Sequence, residues 1–155
     1  MLFRSDLTSV VFGPYATQIL SDLGAEVIKV EPQIGDKFRY AGKPAKTAGM
    51  GPVHMGLNRG KYSVMLDLKT KKDADILREL ILTADVFIHN IREKAIARLG
   101  FDYEAVKAIR PNIVYVHCMG FGPGGSYADL QAYDDVIQAA TGLVGLPSQI
   151  GRAHV

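Results

Sequence analysis

The sequence predicts an α/β fold in which helices cover both faces of a doubly wound parallel sheet. Short apolar segments alternate with helical patterns along most of the 155 residues. Such alternation is typical of strand–helix–strand units, whose crossover helices cover a parallel sheet. With 48% hydrophobic and 22% charged residues, the chain has the composition of a globular protein and a length suited to one domain.

Four segments have the composition of buried strands. They are Glu26 to Val30, Tyr62 to Leu66, Asp85 to His89 and Asn112 to His117. Ligands of doubly wound sheets bind beyond the carboxyl ends of the strands. We therefore expect the functional groups in the loops that follow these four segments.

Five helices are predicted before, between and after these strands. They are Pro14 to Leu23 with Gly24 as its stop, a helix capped by Thr70 that runs to Thr83, Asn90 to Leu99, a helix capped by Asp102 that ends before Pro111, and Ala132 to Leu143. Threonine and aspartate side chains accept hydrogen bonds from the free N–H groups of a first helical turn. The segment 33–60 is rich in Gly, Pro and Lys and weakly patterned, which predicts a functional loop.

Composition and charge limit the class of protein and its partners. No window approaches the ~20 apolar residues of a membrane span, and no signal-peptide pattern opens the chain, so we expect a soluble, cytoplasmic protein. A formal charge of +2 without clustered basic and aromatic residues gives no indication of nucleic-acid binding. A single cysteine, Cys118, excludes an internal disulfide framework.

Single motifs do not specify a chemistry. The segment 120–125 fits G-x-G-x-x-G, but Pro123 and a loop to about Gln131 separate it from the next helix, so a flexible glycine loop is favoured. The four histidines lack metal-ligand spacing, and no metal is expected. Cys118 and His117 point to opposite faces of a strand, which favours a small core cysteine over a nucleophile. Tyr133-Asp134-Asp135 is either an acidic site or a solvated helix start.

The two ends match the translation of sequencing adapters. Residues 150–155 (IGRAHV) are encoded by the start of a common adapter, and residues 1–5 (MLFRS) by the tail of its partner, with GTG read as the start codon. We therefore expect residues 6–149 to be the natural segment. Removing Arg4 and Arg152 lowers the count of Lys and Arg from 18 to 16, equal to the 16 Asp and Glu, so the net charge becomes zero.

A series of motifs in fixed order covers essentially Asp6 to Gln149. It includes GPYATQ from Gly13, DLGAEVIKVEP from Asp22, NRGK from Asn58, LDLKT from Leu66, RLG from Arg98 and AYD from Ala132. This order resembles the opening of family III CoA-transferases, a superfamily that also contains α-methylacyl-CoA racemase. The resemblance implies the first part of a Rossmann-like large domain, with the small domain absent, and a homodimer of interlinked chains in the full-length protein.

The resemblance also implies a binding site for coenzyme A, as part of an acyl-CoA substrate. The positions assigned to it are Val11, Phe12, Leu66, Asp67, Leu68, Lys69, Asn90, Ile91, Arg92, Arg98 and Gln131. Charge-assisted hydrogen bonds to the phosphates are expected from Lys69, Arg92 and Arg98; without the resemblance, solvated surface charge is the simpler interpretation. Two departures affect the site, because Pro32 replaces an arginine of some relatives and Ile91-Arg92-Glu93 replaces the more usual Phe-x-Pro-Gly.

The implied reaction moves CoA from an acyl thioester to a free carboxylic acid. In the family, an aspartate attacks the acyl-CoA carbonyl, CoA leaves and returns to form an aspartyl-CoA thioester, and the acceptor acid takes the CoA. That aspartate is expected beyond Gln149, so the chain is expected to be inactive. Two alternatives stay open: an acyl-CoA racemase, disfavoured because Tyr133 stands where racemases have histidine, and an inactive CoA-binding fragment. A missing first strand and second domain are expected to leave the isolated chain poorly stable.

Overall fold

The structure, a computed structural model, describes residues 3–43 and 46–146. Contacts divide the chain into two compact units, Met1–Cys118 and Met119–Val155. The first unit contains five strands in one parallel sheet, with helices between them. The predicted α/β class with a parallel sheet is therefore confirmed.

The elements follow one another as strand–helix units. They are β1 (Phe3–Leu7), α1 (Phe12–Asp22), β2 (Glu26–Glu31), α2 (Pro52–Asn58), β3 (Tyr62–Met65), α3 (Lys71–Thr83), β4 (Val86–His89), α4 (Glu93–Leu99), α5 (Tyr103–Ile109), β5 (Val114–His117) and, in the second unit, α6 (Asp134–Ala140). The strand order is β3-β2-β1-β4-β5, the order of doubly wound sheets. The chain adds β2 and β3 on one side of β1, and β4 and β5 on the other. The helices that follow β1 and β4 therefore lie on opposite faces of the sheet, and a crevice forms at the carboxyl ends of these two strands.

The expectation that the first strand is missing is wrong. The residues Phe3–Leu7 form the central strand, which pairs with β2 on one side and with β4 on the other. The sequence FRSDL carries little of the β-branched composition of a buried strand, and pairing with two neighbours overrides that weak local preference. Residues 150–155 lie outside the described residues, and the adapter interpretation of the two ends stays a prediction.

The segment 33–60 contains more regular structure than predicted. A 3₁₀ turn spans Lys37–Arg39, and α2 follows with Pro52 at its start. Proline suits the first turn of a helix because its missing N–H has no intrahelical partner there. The helix has seven residues and buries only His54, so it leaves no apolar period in the sequence.

The predicted helix signals are confirmed at several ends. Thr70 accepts a hydrogen bond from the Asp73 N–H at 3.2 Å, and Asp102 accepts one from the Ala105 N–H at 2.9 Å. Gly24 has φ +91° after α1, a conformation that glycine adopts without steric cost. Helix α1 begins at Phe12, two residues before the predicted start.

The apolar core joins the sheet to the helices of the first unit. Its buried residues are Leu7, Val30, Leu66, Ala74, Leu77, Ile81, Ala84, Phe87, Ile96, Phe101, Val106 and Ile113. These residues come from β1, β2 and β4, from positions next to β3 and β5, and from α3, α4 and α5, so the core packs the helices against the sheet. Within residues 3–43 and 46–146, no helix is long and apolar enough to cross a membrane.

Candidate functional site: a cavity at the carboxyl ends of the strands

A cavity of about 500 Å³ lies at the carboxyl ends of β1, β2, β3 and β4. Its lining residues are Leu7, Thr8, Ser9, Val10, Lys29, Val30, Glu31, Pro32, Ile34, Gly35, Asp36, Lys37, Leu66, Asp67, Leu68, Lys69, Asn90, Ile91 and Leu99. About half of them are polar or charged, but most of the surface that faces the cavity is apolar, as in sites that bind organic ligands. The cavity therefore occupies the place where the strand pattern predicts functional groups.

Six of the eleven residues assigned by resemblance line this cavity. They are Leu66, Asp67, Leu68, Lys69, Asn90 and Ile91. Two segments from different strands thus meet at one edge of the sheet. Their contact with CoA remains a prediction, since no ligand is present.

The other five do not line the cavity. Val11 and Phe12 lie beside the lining residue Val10 at the start of α1, with exposed fractions of 43% and 73%. Arg92 and Arg98 are exposed at the two ends of α4, next to the lining residues Ile91 and Leu99. Gln131 is exposed in the second unit. Their roles in binding stay predictions.

The loop after β3 is locked by its own hydrogen bonds. The Asp67 N–H donates to Asp73 Oδ2 at 2.8 Å, the Lys69 N–H donates to Asp67 Oδ1 at 3.1 Å, and the Thr70 N–H donates to the Asp67 carbonyl at 2.9 Å. The turn therefore has a defined backbone, while the Lys69 side chain is exposed. This arrangement presents an ammonium group at the rim of the cavity.

The turn between β1 and α1, residues 8–10, is bound by polar side chains. The Thr8 N–H and hydroxyl both donate to Asp6 Oδ1. The Ser9 N–H donates to Asn90 Oδ1 at 3.1 Å, and Asn90 Nδ2 donates back to the Ser9 carbonyl at 2.9 Å. This reciprocal pair joins the ends of β1 and β4 across the crevice, so Asn90 shapes the cavity directly.

The end of β2 contributes buried charges. Arg39 donates to both oxygens of Glu31 at 2.6 Å, the geometry of a strong bidentate pair. Burial alone would raise the pKa of Glu31, but the hydrogen bonds from Arg39, the Asp36 N–H and Ser63 lower it to about 2. Glu31 is therefore ionised at neutral pH and holds Asp36 and Arg39 in place.

Next to this pair, Lys29 lies within 3.1 Å of Asp36 Oδ2 and donates to the Thr8 carbonyl at 2.8 Å. The Lys29 and Asp36 side chains are each 1% exposed. Lys29 and Glu31 also line a second cavity of about 280 Å³ beside α2. Strand composition gives no signal for these buried pairs, because their partners lie in a loop whose path depends on the whole fold.

The end of β4 is neutral. Burial and the neighbouring His117 ring lower the pKa of His89 to about 4. The Ile91 N–H donates to His89 Nδ1 at 3.2 Å, so the ring proton lies on Nε2 and is donated to the Tyr115 hydroxyl at 2.7 Å; that hydroxyl donates to the Phe101 carbonyl at 3.1 Å. His89 thus fixes the backbone that carries Asn90 and Ile91.

The remaining sequence candidates do not form a second site. Burial raises the pKa of Cys118, which keeps it as a thiol, and its backbone N–H donates to the His89 carbonyl at 2.8 Å. In the second unit, α6 begins only at Asp134, well after the glycine loop. Among the described residues, no group of three or more His, Cys, Asp or Glu side chains is placed to hold a metal ion.

Comparison with known proteins identifies relatives of the chain. The model of CoA-transferase family III matches residues 5–154. The chain is 38% identical over 150 residues to the succinate–glutarate CoA-transferase of Agrobacterium fabrum, covering 93% of this chain and 38% of the relative. It is 39% identical over 154 residues to the acetyl-CoA:oxalate CoA-transferase of Acetobacter aceti, covering 94% and 39%.

A solved structure has the same fold. The crystal structure of a CAIB/BAIF family protein from Brucella suis matches with a TM-score of 0.86 and 38% identity, over 91% of this chain and 38% of that chain. The chain therefore spans about two fifths of the length of the relatives it matches.

Proposed function

This chain belongs to CoA-transferase family III, and we propose that it binds the CoA part of an acyl-CoA in the cavity at the strand ends. The observation that carries the proposal is the meeting of two segments assigned to CoA. Leu66–Lys69 and Asn90–Ile91 follow different strands, yet both line the same 500 Å³ space. The parallel sheet brings both strand ends to one edge, and the cavity there is where doubly wound sheets bind their ligands.

The chemistry of the cavity suits the parts of CoA. Aliphatic side chains such as Val30, Leu66 and Leu68 offer contact for an adenine ring or a pantetheine arm. Lys69 offers a positive charge to phosphate groups. In addition, α1 begins at Phe12, its N-cap residue Val11 makes no side-chain hydrogen bond, and its first turn has no acidic residue. The N-terminus of α1 therefore favours a negative charge nearby.

For the parent protein, we infer a transferase that moves CoA from an acyl-CoA to a free carboxylic acid through an aspartyl intermediate. The names of the two similar CoA-transferases support transfer between CoA thioesters and carboxylates. In the cavity, the Glu31 carboxylate is bound by Arg39, and Asp36 is paired with Lys29. The third carboxylate of the lining, Asp67, accepts the Lys69 N–H through Oδ1. From the family resemblance we infer that none of these three carboxylates is the nucleophile and that this chain binds CoA without turnover.

A racemase activity would require acid and base groups that exchange the α-proton of an acyl-CoA. The resemblance assigns one of these groups to a histidine, and this chain has Tyr133 at that position. Incorporation of deuterium from D₂O at the α-carbon of an acyl-CoA, without transfer of CoA to an added acid, would contradict the transferase proposal for the parent protein.

We also infer that the parent protein is a cytoplasmic homodimer. A single free cysteine, Cys118, is compatible with a reducing compartment. Three apolar residues on one side of α1, Phe12, Tyr15 and Ile19, are exposed together with Leu23 directly after the helix. Such an apolar surface favours burial against further protein. Light scattering of the parent protein would report its oligomeric state.

The direct test of binding is isothermal titration of the 155-residue chain with CoA and with pantetheine, which lacks the phosphates. Lys69→Ala is expected to weaken CoA binding by roughly ten-fold, because a charge-assisted hydrogen bond is lost, and to leave pantetheine binding unchanged. Lys72→Ala, an exposed lysine on α3, is the matched control and is expected to bind both ligands as the unmodified chain does. No CoA binding by the unmodified chain, or an equal effect of both substitutions, would contradict the proposal.

A further inference from the structure

We propose that Asp36 is a positioning residue, whose carboxylate holds Val10 in a left-handed backbone conformation and so shapes the cavity wall between β1 and β2. The part of this proposal that concerns ligand affinity rests on the proposed binding of CoA. The part that concerns backbone conformation stands without it.

The starting observation is an unfavourable conformation at Val10. It is the one non-glycine residue with a positive φ, +75°, among the residues the structure describes. A β-branched side chain disfavours this region strongly, because its Cβ approaches the neighbouring backbone. Such a conformation persists only where surrounding contacts enforce it, and it concentrates at functional sites.

The enforcing contact comes from Asp36. The Val10 N–H donates to both Asp36 oxygens, at 3.2 and 3.4 Å. The same carboxylate accepts the Phe38 N–H at 2.9 Å and pairs with Lys29 at 3.1 Å. Asp36 is 3% exposed, so little water is available to replace it as the acceptor for Val10.

Asp36 is itself fixed from the opposite side. Its N–H donates to Glu31 Oε2 at 2.8 Å, and the Gly35 N–H before it closes a turn to the Pro32 carbonyl at 2.7 Å. Gly35 has φ +78°, and a Cβ there would lie 2.6 Å from Arg39 Cδ. The loop is therefore held close to the Glu31–Arg39 pair, and its position is transmitted through Asp36 to Val10.

The neighbouring turn residues have other partners, which isolates the role of Asp36. Thr8 is bound by Asp6 and Lys29, and Ser9 is bound by Asn90. Val10 lines the cavity and is 41% exposed, so its backbone angle decides where this part of the wall lies. Of these side chains, Asp36 holds the strained residue.

The test is a double-mutant cycle in the 155-residue chain with D36N, V10G and the combined variant. Glycine adopts a positive φ without steric cost, so it removes the need for the Asp36 contact. D36N is expected to weaken CoA binding roughly ten-fold, and V10G is expected to restore the affinity of D36N to within about three-fold. A general structural role for Asp36 predicts no such rescue, and absence of rescue would overturn the proposal.

The exposed pair between Asp22 and Arg59, 2.6 Å apart, supplies a matched control. D22N removes a carboxylate that does not line the cavity, and its effects are expected to add to those of V10G without coupling. A coupling to V10G as large as that of D36N would show that the rescue is unspecific, and this too would overturn the proposal.

A ligand-free arm decides the case where D36N does not fold or the chain does not bind CoA. Val10→Gly and Val10→Ala are compared by thermal unfolding, because alanine retains the Cβ clash and glycine does not. V10G is expected to melt about 3 °C or more above V10A, the reverse of the order in ordinary backbone. A lower melting temperature for V10G would overturn the positioning role. Loss of CoA binding together with the expected melting order contradicts the proposed function alone.

Discussion

The carboxyl ends of β2 and β4 border the same cavity, yet different chemistry stabilises each of them. The charged side consists of Lys29, Asp36, Glu31 and Arg39, which form two buried ion pairs. The neutral side consists of His89, Tyr115 and Phe101, which form a chain of hydrogen bonds without a formal charge.

The charged side and the neutral side hold their loops by different interactions. Buried ions are costly to leave without a partner, so an ion pair strongly enforces the position of every group bonded to it. A neutral histidine between aromatic rings relies on packing and on one fixed tautomer. The charged side therefore tolerates a strained residue at Val10, and the neutral side supports the unstrained residues Asn90 and Ile91.

The largest expected loss of stability comes from a substitution that disrupts the turn between β1 and α1, next to the charged side. In Gly13→Ala, the new Cβ would lie 2.6 Å from the Thr8 hydroxyl oxygen and nearer still to Thr8 Cβ and Cγ2. Thr8 is 2% exposed and bonded to Asp6, so it cannot move freely. We expect a loss of about 3 kcal/mol in the free energy of unfolding, measured by urea denaturation.

Gly56→Ala is the matched control for this prediction. Gly56 also lies within a helix, but a Cβ there would meet nothing within 4 Å. Its replacement is expected to stabilise the chain by about 0.5–1 kcal/mol. Equal effects of the two substitutions would show that the contact with Thr8 does not matter.

The second expected effect is a pH dependence of stability that distinguishes the neutral side from the charged side. The folded pKa of His89, about 4, lies below its ordinary value of 6.5. The unfolded state therefore binds more protons between these values, and the stability that His89 contributes is present above pH 6.5 and lost as the pH falls toward 4. Between pH 7 and pH 5, the unmodified chain is expected to lose about 2 kcal/mol more than His89→Gln, measured by urea denaturation at both pH values.

The contribution of Glu31 to stability changes over a lower pH range. Its folded pKa of about 2 lies below the ordinary 4.5, so its contribution is complete above pH 4.5 and is lost as the pH falls toward 2. Both the unmodified chain and His89→Gln are therefore expected to lose stability below pH 4.5. Identical behaviour of the two proteins between pH 7 and pH 5 would contradict the neutral state of His89.

A smaller change in stability is expected from a substitution in β1, which lies between the two sides. Asp6 is fully satisfied by Thr8, Thr17 and Lys61, whereas the Ser5 hydroxyl is buried without a hydrogen bond among the described residues. Ser5→Ala removes a desolvated group that gains nothing in return. We expect a gain of about 1 kcal/mol in the free energy of unfolding, and a loss would indicate an unrecognised partner for this hydroxyl.

Much of the sheet could be predicted from local pattern. The strands at Glu26, Tyr62, Val86 and Val114 are rich in apolar residues, although only those at Glu26 and Val86 bury any of them. Thr70 has the chemistry of a helix cap. Strand β1 could not be predicted, because its polar residues Arg4, Ser5 and Asp6 are buried only through pairing on both sides. Helix α2 is too short to show an apolar period.

The location of the cavity could be predicted in part, but the contacts that hold its wall could not. The ends of apolar strands indicated its location, and the family resemblance indicated Leu66–Lys69 and Asn90–Ile91. The contacts that hold its wall join distant segments, such as the Val10–Asp36 and Ser9–Asn90 hydrogen bonds. No local spacing in the sequence reveals which side chains will meet in this way.

Hydrogen–deuterium exchange of the chain, with and without saturating CoA, directly tests whether CoA binds at the strand ends. A CoA site at the strand ends predicts slower exchange in three separate segments, residues 8–12, 66–70 and 89–92, and unchanged exchange in α5, which does not border the cavity. Protection of α5 in place of these segments, or no change at a concentration where CoA binds, would contradict a CoA site at the strand ends.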